Sequence, residues 1–324
     1  MNTVYGPVPS WRLGRSLGID PILPPKTCTF DCIYCQLGKT RNKVGITEDY
    51  KPKVKVENVI KDFKEKIRGI DLKTVDYITF SGTGEPTLNP FIGKMVEKLR
   101  ELVEGIPFAI LTNSSLIFRE DIKRALCNFD LVAAKLDAPS QELFERINRP
   151  AKGLKLKMII ENLKLLRREM HGKLALQIMF LKTSDGNMLN SRAEVVEKLV
   201  EITNEIGPDE VQINTPYRPP SESYVKPLTN EELMAITDIF KRKTSGIEVH
   251  SRLFPRKLRK TEVKAETLEV VIIELLKRRP CKIKDIIDSL GIPESEVRKC
   301  LDSLHAKGLV KLVKYKGDSY YIHV

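Results

Sequence analysis

The chain has 324 residues, 41% apolar and 30% charged, with 55 Lys and Arg against 43 Asp and Glu for a net charge of +12. This composition excludes a disordered, collagenous or low-complexity chain, and no apolar run approaches the roughly 20 residues of a spanning helix, so no membrane segment is expected. The basic excess has two readings, a polyanionic partner or a Lys- and Glu-rich surface of the thermophilic kind, the latter favoured by only four Gln. Residues 1–11 carry Pro7 and Pro9 and no apolar core of signal-peptide length, so no export signal is read and a cytoplasmic protein is expected.

Taken in order, a strand is expected near residues 16–22 and a helix near 56–67. Residues 75–80 read as a strand and 90–104 as a helix, with Pro90 suited to its first turn. Strand 107–111, helix 119–127, strand 131–136, helix 153–170, strand 173–181, helix 191–206 and strand 210–214 come next. About six β-α units mean an α/β protein with a parallel sheet covered by helices, either doubly wound or a barrel that does not fully close. In both, chemistry gathers at the C-terminal ends of the strands.

After the basic stretch 252–260, helices are expected at 267–278, 283–290 and 294–306. Gly291 ends the second and Pro293 opens the third. Strands 309–314 and 320–324 flank a turn at 316–318. Three helices and a terminal hairpin describe a winged helix, often a nucleic-acid reader. Its 12 Lys and Arg against 10 Asp and Glu over residues 261–324 leave it nearly neutral, which suits a protein- or peptide-recognition module equally well. The expected layout is a barrel domain at 1–255, a basic linker at 256–264 and a winged-helix domain at 265–324.

Of the six cysteines, Cys28, Cys32 and Cys35 cluster in one short stretch. Thiols so spaced suit one inorganic centre, and an iron–sulfur cluster is the first reading. A structural zinc wants four ligands, yet no His precedes His171 and no further Cys precedes Cys127. Three ligands leave one iron of a four-iron cluster open, a catalytic arrangement. Cys127, Cys281 and Cys300 sit on helical patterns and read as core thiols.

The spacing C-x3-C-x2-C, with Tyr34 before its last Cys, resembles the radical S-adenosylmethionine (SAM) superfamily. Ser81-Gly82-Thr83-Gly84-Glu85-Pro86 is similar to that family's glycine-rich strand-end element, with Thr83 as a departure. Residues 111–115 and 135–138 end the next two strands, where the family places polar contacts to SAM. The resemblance, over roughly residues 5 to 220, implies a partial (β/α)6 TIM-type barrel carrying a [4Fe–4S] cluster on Cys28, Cys32 and Cys35. It implies that backbone around Gly82, Thr83, Gly84 and Glu85 holds the SAM methionine, that Tyr34 lies near the adenine, and that Asn113, Ser115, Lys135, Asp137 and Gln177 are further candidate contacts. The implied chemistry is one-electron cleavage of SAM and hydrogen abstraction by a 5′-deoxyadenosyl radical, with a flavodoxin- or ferredoxin-type electron donor.

Residues 6–16 and Ile147-Asn148-Arg149-Pro150 resemble a prokaryotic subgroup related to tRNA wybutosine synthases, without their second cluster because no Cys precedes Cys28. That resemblance implies a tRNA nucleoside as substrate. A protein or peptide substrate is the alternative, and a non-catalytic iron–sulfur redox regulator a further one. Arg12, Arg15 and Arg218 are candidates for binding an anionic group of the substrate.

Overall fold

The computed structural model describes all residues except 1, 48, 49, 188 and 256–267. Eight strands form one sheet in which spatial order follows chain order: β1 (Val4–Ser10), β2 (Gly14–Ile19), β3 (Tyr77–Phe80), β4 (Phe108–Thr112), β5 (Leu131–Lys135), β6 (Lys173–Met179), β7 (Glu210–Asn214) and β8 (Glu248–Ser251). β1 runs antiparallel to β2 and every later pairing is parallel. A doubly wound sheet reverses its strand order at a switch point; this one never does, so it curls in one sense into a half-barrel.

Helices α1 (Val56–Ile67), α2 (Ile92–Arg100), α3 (Glu120–Leu126), α4 (Gln141–Asn148), α5 (Leu156–Glu169), α6 (Ala193–Ile206) and α7 (Asn230–Lys243) connect the parallel strands. Alternation sorts each strand between two faces. Leu17, Ile78, Phe80, Phe108, Ile110, Val132 and Leu176 join the helices in one large core, and Ile178, Val211 and Ile213 pack in a second under α6 and α7. The inner face carries small Ala109, Ala133 and Ala175 with Leu13 and Leu131. It leaves room at the strand ends.

Four elements depart from the sequence expectation. Pro7 and Pro9 weigh against a strand, yet β1 lies at a sheet edge, where a residue without an N–H is tolerated. Helix α4, helix α7 and strand β8 carry the fold beyond what hydrophobic periodicity alone marks out. The start of α7 is nonetheless written locally, for Thr229 and Glu232 cap it reciprocally, the Ser/Thr-x-x-Glu signature.

The basic linker expected at 256–264 lies outside the described residues. Beyond it, α8 (Leu268–Leu276), α9 (Ile283–Leu290) and α10 (Glu294–Ala306) precede a hairpin of β9 (Val310–Tyr315) and β10 (Asp318–His323). Ile272, Leu276, Ile286, Leu290, Val297, Leu301 and Leu304 make a separate core, against which Val8 of β1 packs. Polar contacts fasten this C-terminal unit to the half-barrel. Arg15 donates to the carbonyls of Asp288 and Ser289 (3.5 and 3.1 Å), Arg278 to that of Asn2 (2.7 Å), and Tyr320 to that of Tyr217 (2.7 Å).

Candidate active site

The cysteine loop leaves β2 at Asp20, and this buried carboxylate ties the start of the loop to the glycine turn after β3. Its Oδ1 accepts from the backbone N–H of Ile22, Leu23 and Thr83 (3.1, 3.0 and 3.2 Å). Its Oδ2 accepts from Thr83 Oγ1 (2.7 Å) and lies 3.3 Å from Arg278 Nε. The loop then pairs with the same turn: Thr27 N–H donates to the Thr83 carbonyl and Glu85 N–H to the Thr27 carbonyl, both at 3.1 Å. A Cβ on Gly82 would lie 2.2 Å from Asp20 Cγ, and one on Gly84 (φ +149°) 1.7 Å from the Thr27 carbonyl oxygen. Glycine is therefore required at both positions by the seam between the turn and the cysteine loop, before any ligand is considered.

Glu85 is buried and spends both oxygens on neighbours. Oε1 accepts from Thr87 N–H, Thr87 Oγ1 and Thr112 Oγ1 (3.1, 2.6 and 2.7 Å), and Oε2 from Asn113 N–H (2.6 Å). Burial raises its carboxyl pKa while these donors oppose the rise. Asn113 Nδ2 in turn donates to Thr29 Oγ1 (2.8 Å) and Cys28 Sγ (3.4 Å), and Thr29 shares a 2.7 Å hydrogen bond with Ser115 Oγ. Glu85 thus aims Asn113, and Asn113 aims the loop.

On the other side, Tyr34 donates to Asp137 Oδ2, whose second oxygen accepts Met179 N–H (2.8 Å) and pairs with Lys135 Nζ (3.0 Å). Lys135 Nζ also lies 4.9 Å from the Tyr34 ring centre. Asn148 Nδ2 joins Asp137 Oδ2 (2.8 Å), Tyr34 (3.3 Å) and Cys32 Sγ (3.4 Å). The segment around it seals the loop by backbone bonds, Ile33 N–H to the Ile147 carbonyl (3.0 Å) and Ala151 N–H to the Thr29 carbonyl (2.7 Å).

Cys28, Cys32 and Cys35 are half-buried free thiols. Burial, then neighbouring Cys35 and Asp137, raise the Cys32 pKa to about 11; burial and Glu85 raise that of Cys28. A metal centre therefore has protons to displace there. The three thiols stand on one short loop, and a structural zinc wants a fourth ligand that no neighbouring Cys or His in the sequence supplies.

Tyr34, Glu85, Asn113, Ser115, Lys135 and Asp137 are thus brought together around the cysteine loop. Gln177 stands one strand further on, its carbonyl accepting from Leu136 N–H (3.1 Å) and its side chain reaching Gln212 (3.5 Å). Arg12 and Arg218 share a cavity beside Gly82 and Gly84, whereas Arg15 is turned to α9. Sequence reading gave no role to Asp20, Thr29 or Asn148; Asn148 sat inside a family-like motif, while Asp20 had no local signal. Among the described residues, one group of potential metal ligands meets elsewhere, Glu210, Glu248 and His250, but Lys173 already lies 3.3 and 3.6 Å from the two carboxylates.

A half-barrel of parallel strands whose ends clasp a loop of three thiols defines a class, the α/β half-barrel proteins with a partial TIM-type sheet. The family model of the radical SAM superfamily matches residues 22–193. The chain is 36% identical over 330 residues to the UPF0026 protein MJ1312 of Methanocaldococcus jannaschii, covering 99% of this chain and 96% of that protein. The chain belongs to the radical SAM superfamily and, within it, to the UPF0026 proteins; it is an enzyme of that superfamily. In fold it is similar to a radical SAM methyltransferase from Sphaerobacter thermophilus (TM-score 0.50, 18% identity, 73% of this chain and 65% of that one). It is also similar to Streptococcus suis SuiB bound to S-adenosylmethionine (TM-score 0.51, 17% identity), covering 72% of this chain and about half, 49%, of that one.

Proposed function

We propose that Cys28, Cys32 and Cys35 hold a [4Fe–4S] cluster, that SAM lies against the glycine turn and the ends of β4 and β5, and that the substrate is a nucleoside of an RNA, tRNA by the motifs shared with the wybutosine-synthase relatives. When bound, the cluster and SAM supply one-electron cleavage and a hydrogen-abstracting radical. The observation that carries the reading is the gathering of the three thiols on one loop at the strand ends, with the donors Asn113 and Asn148 at 3.4 Å from two of the sulfurs. Such hydrogen bonds orient thiolate ligands and tune the metal centre they hold. Tyr34, fixed by Asp137, offers a ring face for the adenine, and the apolar layer of Leu13, Leu131 and three alanines keeps water from below.

The RNA assignment is supported by a groove of about 690 Å³ between the cysteine loop and the C-terminal unit, lined by Lys26, Lys39, Arg41, Lys277 and Arg279 and by no Asp or Glu among the described residues. We read the C-terminal unit as a winged helix, with its phosphate contacts on this groove rather than on α10, where Arg298 is closed on Glu294 (2.5 Å). Anaerobic reconstitution is expected to give about four iron per chain and 5′-deoxyadenosine on reduction with dithionite. Stoichiometric zinc without iron sinks the cluster. Affinity for tRNA is expected to fall steeply with salt and to drop in Arg41→Glu; no binding even near about 50 mM salt transfers the substrate to the protein class.

A further inference from the structure

A cavity of about 250 Å³ lies between the β1–β2 hairpin, the loop after β7 and the end of α8, and Gly82 and Gly84 form part of its wall. The hairpin contributes Trp11 and Arg12, the loop Tyr217 and Arg218, and the C-terminal unit Arg279. No Asp or Glu lines it among the described residues. The Nε groups of Arg12, Arg218 and Arg279 and the indole N–H of Trp11 are buried without a hydrogen-bond partner. Burying such donors unmet is costly, and a folded chain that keeps four of them around one space has built them for something else to meet.

The Arg218 and Arg279 guanidinium groups are held in place by their remaining edges, and Arg12 lies over the Trp11 ring, 5.3 Å from its centre. Arg218 Nη1 donates to Gln36 Oε1 (3.3 Å) and to Tyr217, with Asp285 3.7 Å from Nη2. Arg279 Nη1 donates to the Pro9 carbonyl (3.1 Å). Arg252 stacks on Tyr217 with its guanidinium 3.2 Å from the ring centre. The other arginine on this wall, Arg278, is committed elsewhere, to Asp20 and Glu274. The local field is strongly positive. Burial alone would raise the Tyr217 phenol, yet Arg218, Arg252, Arg279 and Arg12 together bring it below its ordinary pKa. Burial first, with repulsion from Arg252 and Arg218, lowers Arg12 to about 10.

We propose that this cavity is the anion site for the substrate, taking a phosphate-bearing group of ribose-phosphate size, and that Arg279 makes the C-terminal unit part of it. Three guanidinium forks with a single carboxylate at 3.7 Å leave more positive charge than one carboxylate ligand neutralises, and their planar donors match phosphate oxygens. A phosphate so held sits on the same wall as the glycine turn, which brings the attached sugar or base to the side where SAM is proposed to lie. The inference rests on that placement of SAM only for its catalytic meaning; anion binding is independent of it.

Trp11 is the single tryptophan of the chain and lines the cavity, so its emission reports occupancy without cluster, SAM or turnover. Inorganic phosphate and ribose 5-phosphate, titrated into the full chain, are expected to change that emission saturably, with ribose itself silent. Arg12→Gln and Arg279→Gln are each expected to weaken ribose 5-phosphate at least about tenfold, Arg218→Lys less than Arg218→Gln, and Arg298→Gln not at all. Far-UV dichroism and melting of each variant separate lost binding from lost fold. No saturable change with either phosphate, unchanged affinity in the folded Arg12 and Arg279 variants, or succinate binding as tightly as phosphate overturns the proposal. Competition by tRNA assigns the phosphate to a polynucleotide, and its absence assigns it to a free phosphorylated metabolite; both sustain the site. Phosphate binding without 5′-deoxyadenosine formation would sink the radical reading and leave the cavity standing.

Discussion

The two sides of the glycine turn solve opposite problems. Toward the cysteine loop, Asp20, Glu85 and Asp137 each collect three to five partners, and most polar side chains are bonded to one another. Lys135 Nζ and Arg278 Nε, ion-paired but not hydrogen-bonded, and Asn148 Oδ1 are the exceptions. Toward the lumen, cations crowd together and four buried donors have no partner. A network that is complete before any ligand arrives fixes a geometry, as a resident centre demands; donors left open store binding capacity at a cost in stability. The difference teaches which half is frame and which is receptor.

That contrast can be broken by mutation, and the signs on its two sides differ. Cys32→Ala is expected to abolish iron retention and reductive SAM cleavage, while Cys127→Ala, at the end of α3 away from the loop, leaves both intact; iron analysis per chain decides. Asp20→Ala takes one of Arg278's two carboxylates and unties the loop from the glycine turn, and the buried donors left unmet are expected to cost about 3–5 kcal/mol in denaturant unfolding. Asn148→Ala removes a donor shared by Cys32, Tyr34 and Asp137. About 1–3 kcal/mol of stability should go with it, and a redox titration should find the reconstituted cluster harder to reduce. Arg12→Gln should move the other way, stabilising the chain by about 0.5–2 kcal/mol, because it removes a half-buried guanidinium whose Nε has no hydrogen-bond partner and which faces two other cations. Arg298→Gln, on an exposed helix face, should stay within about 0.5 kcal/mol of the parent. Were Arg12→Gln as damaging as Asp20→Ala, the distinction between frame and receptor would collapse.

The parallel sheet was legible because its strands and helices alternate in period, and the cysteine loop because thiols are rare and their spacing is chemical. The edge strand β1 was not, since Pro7 and Pro9 carry the local signature of a loop and only the sheet edge tolerates them. Asp20 was hidden for another reason: its partners Thr83 and Arg278 stand 63 and 258 positions away, and no window of sequence contains them. Glu85 was read for its backbone alone; that its side-chain oxygens tie Thr87, Thr112 and Asn113 together had no signal in the sequence. A motif names the residues that matter more reliably than the bond each one makes. Arg12 and Arg218 were read, with Arg15, as candidates for an anionic group; their convergence with Arg279, and the turning of Arg15 to α9, needed the third dimension.

The contact between Arg278 and the Asn2 carbonyl joins the two extremes of the chain. Synthesis on the ribosome proceeds from the N-terminus at about 5–20 residues per second, so β1 waits on the order of ten seconds or more for the helices that pack against it. The strands and helices between can dock locally in the meantime, but neither the Asp20–Arg278 pair nor the Arg279 wall of the cavity exists until the last unit has emerged. Closing contacts of such long sequence separation is the slow part of folding. A nascent chain is therefore barred from assembling its arginine pocket until Arg279 has left the ribosome, and the site matures well after the sheet that carries it.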